Sequence, residues 1–372
     1  MKLQNPFEKI SPVNGQVIIS GPCSAESQQQ VMEIAKSLSE KNICSIFRSG
    51  IWKPRTRPNA FEGIGEVGLS WLKEVRQTYG LPVATEVAKT SHVEACLKND
   101  IDFIWIGART TASPFAMQEL ADALKGVDIP VLVKNPINAE LALWMGGLER
   151  LEKAGINKLA AIHRGFSGLE NSIYRNLPMW HMPMELKRLH PEIPMICDPS
   201  HICGTRQYID KISQYSVDLN FDGLMIETHT TPEKALSDAK QQVTPGRLDE
   251  ILSGLVSKNE FSGNQSFESR LEYFRAKIDR LDDELIAILK GRSEISAQIG
   301  ELKKTEKVTV FQQGRLEELM NLRINRAVDQ GVSKELVENI FQHIHSDSVN
   351  IQTEFLKNID GEESDLNKNS TD

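Results

Sequence analysis

Pro194-Met195-Ile196-Cys197-Asp198-Pro199-Ser200-His201 is the stretch on which the fold turns. An apolar run stops abruptly at a carboxylate, a Pro-Ser pair and an imidazole. Continuous rather than alternating hydrophobicity marks a strand buried on both faces, as in a parallel sheet flanked by helices. Seven runs of the same kind lie at 16–19, 44–47, 82–85, 101–106, 130–133, 158–162 and 222–226, separated by segments long enough for a helix. Eight strand-plus-helix units in roughly 230 residues match the size of a (β/α)8 TIM barrel. A doubly wound open sheet is the alternative, because counting strands does not prove closure.

Barrel enzymes carry their chemistry at the C-terminal strand ends. Here the runs end, in order, at Gly21-Pro22-Cys23-Ser24, Arg48, Glu86, Gly107-Ala108-Arg109, Lys134, His163-Arg164-Gly165, Asp198-Pro199-Ser200-His201 and Glu227-Thr228-His229. Each offers a charged or metal-competent side chain, which implies one concave site. Cys23, His201, Glu227 and the nearby Asp238 supply a thiolate, an imidazole and two carboxylates. Such a mixed set suits one divalent transition ion (Mn, Fe, Co or Zn) better than Mg or Ca. Taken alone, Cys23 reads as a core thiol and His201 as a structural histidine; their common place at strand ends favours a ligand set. Arg48, Lys53, Arg55, Arg109, Lys134 and Arg164 form a cationic group. Guanidinium forks grip phosphate and carboxylate, and so many cations in one mouth repel one another unless anions fill it.

Outside these runs the chain changes character. All 16 prolines lie at or before Pro245 and all five tryptophans at or before Trp180. The expected division is a barrel over 1–250, a linker over 251–266, a helical domain over 267–357 and a disordered tail over 358–372. In the helical part Leu271, Phe274, Ile278, Leu281, Leu285, Ile288, Ile295, Ile299 and Leu302 recur mostly every three or four residues, predicting one long amphipathic helix over 267–304. Shorter helices are expected over 313–330 and 334–356, with Gly331 as the stop and Ser333 as an N-cap. One very long helix cannot bury such a stripe alone, so a homodimer, or a higher multiple of it, is expected.

Composition limits the rest. The 372 residues carry 43 Lys and Arg against 51 Asp and Glu, a net charge of −8 that argues against a nucleic-acid binder. No apolar run approaches the ~18–20 residues of a membrane span. The opening Met1-Lys2-Leu3-Gln4-Asn5-Pro6 lacks a signal peptide's apolar core, and five irregularly spaced cysteines are no disulfide framework. A cytoplasmic protein is expected.

Lys53-Pro54-Arg55-Thr56, together with Gly21-Pro22-Cys23-Ser24, Gly107-Ala108-Arg109, His163-Arg164-Gly165, Asp198-Pro199-Ser200-His201 and Ala235-Leu236-Ser237-Asp238, resembles the motifs of type I beta 3-deoxy-D-arabino-heptulosonate 7-phosphate (DAHP) synthases. The resemblance covers roughly 13–245. It implies a metal held by Cys23, His201, Glu227 and Asp238, phosphoenolpyruvate bound by Arg48, Lys53, Arg109, Lys134 and Arg164, and erythrose 4-phosphate bound by Arg55 and Thr56. Lys53 and Lys134 are the candidates for proton handling. The sister enzyme, KDO 8-phosphate synthase, carries Lys-Ala-Asn-Arg-Ser at the Lys53 motif, so the four-carbon sugar is favoured. Arg57 departs from the family, where a Ser commonly follows the Thr.

Phe274-Arg275-Ala276-Lys277-Ile278-Asp279-Arg280-Leu281-Asp282, then Arg292, Lys303, Arg315 and Asp347-Ser348-Val349 with Gln352, resembles the all-helical chorismate mutases. That implies an intertwined dimer in which Arg275, Arg292 and Arg315 hold the carboxylates of chorismate. Lys303 and Gln352 act on the ether oxygen, Ser348 lines the site, and no cofactor is needed. Leu316 stands where a Glu is usual and Gln312 where an Asp is common, departures that imply a weakened mutase. The whole reading is a bifunctional enzyme of the shikimate pathway, with prephenate as an expected feedback inhibitor. Its alternatives are a helical part that only senses or dimerises, and a barrel with KDO 8-phosphate synthase chemistry.

Overall fold

The structure, a computed structural model, describes residues 3–53, 61–168, 172–258 and 262–357. The chain forms two compact units, Met1–Glu260 and Phe261–Asp372.

In the first unit all eight apolar runs are strands: β1 (Val17–Gly21), β2 (Ile46–Arg48), β3 (Val83–Val87), β4 (Phe103–Ile106), β5 (Val131–Lys134), β6 (Leu159–His163), β7 (Met195–Cys197) and β8 (Gly223–Glu227). Each pairs in parallel with the next, and β8 pairs with β1 from Val17–Gly223 to Gly21–Glu227, so the sheet is a closed barrel and not an open one. The strands run one or two residues past the expected ends in six cases, through Gly21, Arg48, Val87, Lys134, His163 and Glu227. Hydrophobicity stops there, but the backbone ladder is indifferent to side-chain charge and continues.

Alternation along each strand sorts the side chains. Val17, Ile19, Ile46, Ala84, Phe103, Trp105, Leu132, Ala160, Ile162, Ile196 and Met225 fill the interior, with Phe7 stacked on Phe103 at 6.1 Å. The alternate residues, among them Ile18, Phe47, Ile104, Val131, Val133 and Leu224, pack outward against the helices. The inward phase carries Arg48, Glu86, Lys134 and Glu227 to the top of the barrel, and one step beyond the strands it carries Arg164 and Asp198. His163 has the outward phase, so it leaves the mouth that its strand-end position suggested. It packs among Phe166, Trp180 and Phe221, with ring centroids 5.1–6.4 Å away.

Among its described residues the second unit holds three helices, Gln265–Thr305, Gln313–Asp329 and Lys334–Lys357. The Asn264 side chain caps the first, accepting from the N–H groups of Ser266 and Phe267. Gly331 turns the chain at φ +77°, and Ser333 Oγ accepts from Leu336 N at 3.3 Å to cap the last helix. The first helix meets the last through small residues. Ser296 Oγ donates to Ser348 Oγ at 3.1 Å, and Gly300 lies against Gln352. The large apolar residues stay out of this contact: Leu281, Leu285, Ile288, Ile295 and Leu302 are all exposed, Ile288 at 67%. No described helix is long and apolar enough to cross a membrane.

Candidate active site

Among the described residues, the barrel mouth gathers a cluster of potential metal donors and a cavity lined by cationic side chains. Cys23 Sγ, a Glu227 oxygen and an Asp238 oxygen lie within 4.8 Å of one another. The thiol stands 3.3 Å from Asp238 Oδ2, and His201 Nε2 is 3.8 Å from Glu227 Oε1. Of the four expected metal ligands, Cys23 from the loop after β1, Glu227 at the end of β8 and Asp238 from the loop after β8 form the close group, and His201, on the short helix after β7, borders it through Glu227. Asp198 orients the histidine. It caps the short helix Pro199–Cys203 by accepting from His201 N, and its carboxylate also takes His201 Nδ1 at 2.8 Å, leaving Nε2 turned to the cluster. Asp238 sits at φ +45°, a left-handed position that Asp tolerates better than most residues.

The cluster is buried and charge-rich. Burial first, and then the neighbouring Glu227, pushes the Cys23 thiol up to about 12. Burial also works against ionised Glu227 and Asp238, but His201, Arg48 and Lys53 hold Glu227 below its usual range, and Lys53, His201 and Arg175 hold Asp238 below its own. A thiol beside two carboxylates is a poor resting arrangement without a cation and a good one with it, since a bound metal makes thiolate the stable form. The donor set fits a borderline divalent ion.

Next to it lies a cavity of about 270 Å³ lined by Glu86, Arg109, Lys134, Arg164, Arg175, Asn176 and His201. The expected cations differ in how they are held. Arg48, fully buried, donates to Glu227 Oε1 at 2.8 Å and lies over the Trp105 ring at 4.7 Å. Lys134 donates to Asp198 Oδ2 at 2.8 Å. Lys53 donates to Cys23 Sγ at 2.7 Å and stands 3.9 Å from Asp238. Much of the self-repulsion expected from sequence is thus offset by built-in carboxylates. Arg109 is exposed and makes no hydrogen bond or ion pair among the described residues. Arg164 donates to Asn176 Oδ1 at 2.8 Å, and burial lowers its guanidinium to about 10, so it stays charged at neutral pH. Gly107 leaves room for the Glu86 carboxylate, which a Cβ there would displace.

Sequence reasoning missed several supporting groups. Asn135 Oδ1 accepts from Arg164 N at 2.7 Å and its amide donates to Gly165 O, locking the loop after β6. Asn176 donates to His201 O at 2.7 Å, and Gln241 donates to Glu227 Oε2 at 2.7 Å. Arg175 donates to Asp238 Oδ1 at 3.0 Å. Asn135 follows Lys134 directly and was open to the strand-end argument; the others lie in loops with no period to mark them. Arg55 and Thr56 lie outside the described residues, as does the tail.

In the helical unit, Arg292, Lys303, Ser348 and Gln352 lie on the two helices that meet at Ser296 and Gly300. Arg292 is half-buried, and its Nε has no hydrogen-bond partner among the described residues. Gln352 is buried with Oε1 likewise unpartnered. Lys303 Nζ donates to Val310 O at 2.6 Å. Arg275 is exposed and, among the described residues, pairs with Glu272 at 2.7 Å. The side chain of Arg315 lies outside the described residues.

Comparison with known proteins accounts for both units. The model of the DAHP synthetase I family matches residues 8–261, and that of chorismate mutase type II matches residues 274–353. Phospho-2-dehydro-3-deoxyheptonate aldolase of Thermotoga maritima is 34% identical over 226 residues, 61% of this chain and 64% of that protein, so the chain spans somewhat under two thirds of that relative. 2-Dehydro-3-deoxyphosphooctonate aldolase of Desulfotalea psychrophila is 28% identical, over 64% of this chain and 88% of its own. A crystal structure of the Thermotoga DAHP synthase superposes with a TM-score of 0.57 at 30% identity, covering 64% of this chain and 68% of that one. With the barrel, its mouth and these matches together, the chain belongs to the DAHP synthetase I family and carries a chorismate mutase type II domain after its barrel.

Proposed function

We propose that the chain is a bifunctional enzyme of the shikimate pathway, which condenses phosphoenolpyruvate with erythrose 4-phosphate to DAHP and phosphate and rearranges chorismate to prephenate. The observation that carries the first reaction is the joining of the Cys23, His201, Glu227, Asp238 cluster to a pocket bearing Arg109, Lys134 and Arg164. Those four residues hold one divalent ion, Mn, Fe, Co or Zn. When bound, it supplies Lewis acidity toward the sugar aldehyde. Arg109 and Arg164 bind the phosphate and carboxylate of phosphoenolpyruvate, with Arg48, Lys53 and Lys134 completing the cationic wall. Carbon–carbon bond formation joins C3 of phosphoenolpyruvate to the aldehyde carbon, water adds at C2, and phosphate leaves. Lys134 and Lys53 are placed to hold or pass protons, and Arg55 and Thr56 bind the sugar phosphate.

For the second reaction, Arg275, Arg292 and Arg315 hold the carboxylates of chorismate while Lys303 and Gln352 donate to its ether oxygen, with Ser348 beside them and no cofactor. The unpartnered Arg292 Nε and Gln352 Oε1 support a polar site awaiting a ligand. The exposed apolar face of Gln265–Thr305 supports a homodimer through this unit, and prephenate is proposed to inhibit the barrel from it. Five buried free cysteines support a cytoplasmic setting.

A second reading for the barrel, the five-carbon sugar of a KDO 8-phosphate synthase, is favoured by the likeness to the Desulfotalea 2-dehydro-3-deoxyphosphooctonate aldolase. Offering erythrose 4-phosphate and arabinose 5-phosphate to the full chain decides between them. The proposal expects turnover of the former only, loss of that turnover on chelation, and chorismate consumption that survives chelation. Turnover by a metal-free preparation overturns the metal assignment.

A further inference from the structure

We propose that Arg175 is a positioning residue that couples the cation cluster to the anion pocket, an inference that rests on the metal reading above. The loop after β6 brings Arg175 to the mouth, where its N–H donates to Cys203 O at 3.3 Å. Gly204, at φ +66°, seats the stem: any Cβ there runs into Arg175 Cβ. Nη1 then donates twice, to Asp238 Oδ1 at 3.0 Å and to Gln241 Oε1 at 2.9 Å. Gln241 in turn donates to Glu227 Oε2 at 2.7 Å. One nitrogen thereby restrains two of the carboxylates of the cluster, the first directly and the second through an amide.

The consequence for Asp238 is directional. With Oδ1 held by Arg175, Oδ2 is the oxygen that faces Cys23 Sγ at 3.3 Å and Lys53 Nζ at 3.9 Å. Nε and Nη2 of Arg175 have no partner among the described residues, and the side chain lines the cavity with Arg109, Lys134 and Arg164. A planar guanidinium can serve a carboxylate on one edge and a phosphate or carboxylate of the ligand on another, which an ammonium cannot do. An anion in the cavity offsets the guanidinium's charge beside a bound cation while Asp238 stays aligned. Anion and cation therefore strengthen each other's binding, and by linkage they do so equally.

The test is a titration of the metal-stripped full chain with Co²⁺, followed by the thiolate-to-cobalt absorption, with and without saturating phosphoenolpyruvate and with no sugar phosphate. Wild type is expected to bind Co²⁺ about tenfold tighter when phosphoenolpyruvate is present, a typical coupling between sites. Arg175→Ala and Arg175→Gln are expected to keep the absorption band, which reports a folded cluster, and to reduce the enhancement to about twofold or less; Arg175→Lys restores it only in part. Variants that retain the tenfold enhancement overturn the inference. So do variants that weaken Co²⁺ binding equally with and without phosphoenolpyruvate, since that is a structural role alone. A wild type with the band but no enhancement overturns the coupling and leaves the metal reading standing, whereas a wild type with no band removes both.

Discussion

The barrel mouth and the helical unit hold their charges in opposite ways. In the mouth, Arg48 meets Glu227 at 2.8 Å, Lys134 meets Asp198 at 2.8 Å, and Lys53 meets Cys23 at 2.7 Å, all with little exposure to water. Breaking the Arg48–Glu227 or the Lys134–Asp198 pair leaves a buried charge without compensation, which costs about 3–5 kcal/mol. In the helical unit Arg275 lies in solvent with Glu272, and Arg292 and Gln352 hold polar atoms without described partners. Ile288 and Leu302 on the long helix are each 67% exposed. One region is preorganised by its own chain, with its electrostatics in place before a ligand arrives. The other presents part of a site beside an uncovered apolar face, which is how a surface completed by a second copy looks.

Cys23→Ala is the strongest test of that contrast. On the proposed reading the substitution removes a thiolate ligand and with it the several kcal/mol that Lewis-acid activation contributes, so DAHP formation is expected to fall by about 10³-fold or more. Chorismate consumption by the same preparation stays within about twofold of wild type. Retention of a tenth or more of the condensation rate breaks the idea that the mouth works through a bound cation.

Ile288→Glu probes the other side. In the proposed homodimer, a carboxylate at this position on the apolar face is desolvated without a partner, a penalty of a few kcal/mol. Chorismate mutase activity is expected to fall about 100-fold, a barrier or population change of about 2.7 kcal/mol, while DAHP formation holds within about twofold. Undiminished mutase activity means that the helical unit is complete in one copy, and the contrast fails.

How far the sequence shows these regions depends on where periodicity exists. The eight apolar runs are legible because a doubly buried parallel strand has no polar residue to interrupt it, and the mouth is legible because each run ends where charge begins. The phase within a run is not legible, since both faces of the strand are apolar. Nothing in Leu159-Ala160-Ala161-Ile162-His163-Arg164 tells that His163 turns outward and Arg164 inward until closure defines an inside. Arg175 and Gln241 sit in irregular loops, and their partnership with Asp238 exists only in three dimensions. In the long helix the apolar stripe marks its length correctly. It does not reveal that Ser296 and Gly300, small residues between the large ones, make the contact within the unit.

The outward turn of His163 supplies the smallest of the expected effects and a sharper contrast in acid. Burial, aided by the adjacent Arg164, pushes its imidazole down to about 3, against an ordinary value near 6.5. A histidine whose folded value is depressed takes up protons in the unfolded chain first. Its contribution to stability is therefore complete above about pH 6.5 and is lost progressively as pH falls toward 3. Integrating that linkage between pH 7 and pH 5 gives a loss of about 2 kcal/mol from this one residue. His163→Phe keeps a ring among Phe166, Trp180 and Phe221 and removes the proton site, so the barrel's denaturant transition should be about 2 kcal/mol less acid-sensitive than in wild type over that interval. The helical unit is a separate compact unit that does not contain His163. Its own transition should not respond to the substitution. Equal acid sensitivity of the barrel in wild type and variant would mean that His163 is hydrated in solution, and that the tight outer packing of β6 is looser than its ring contacts imply.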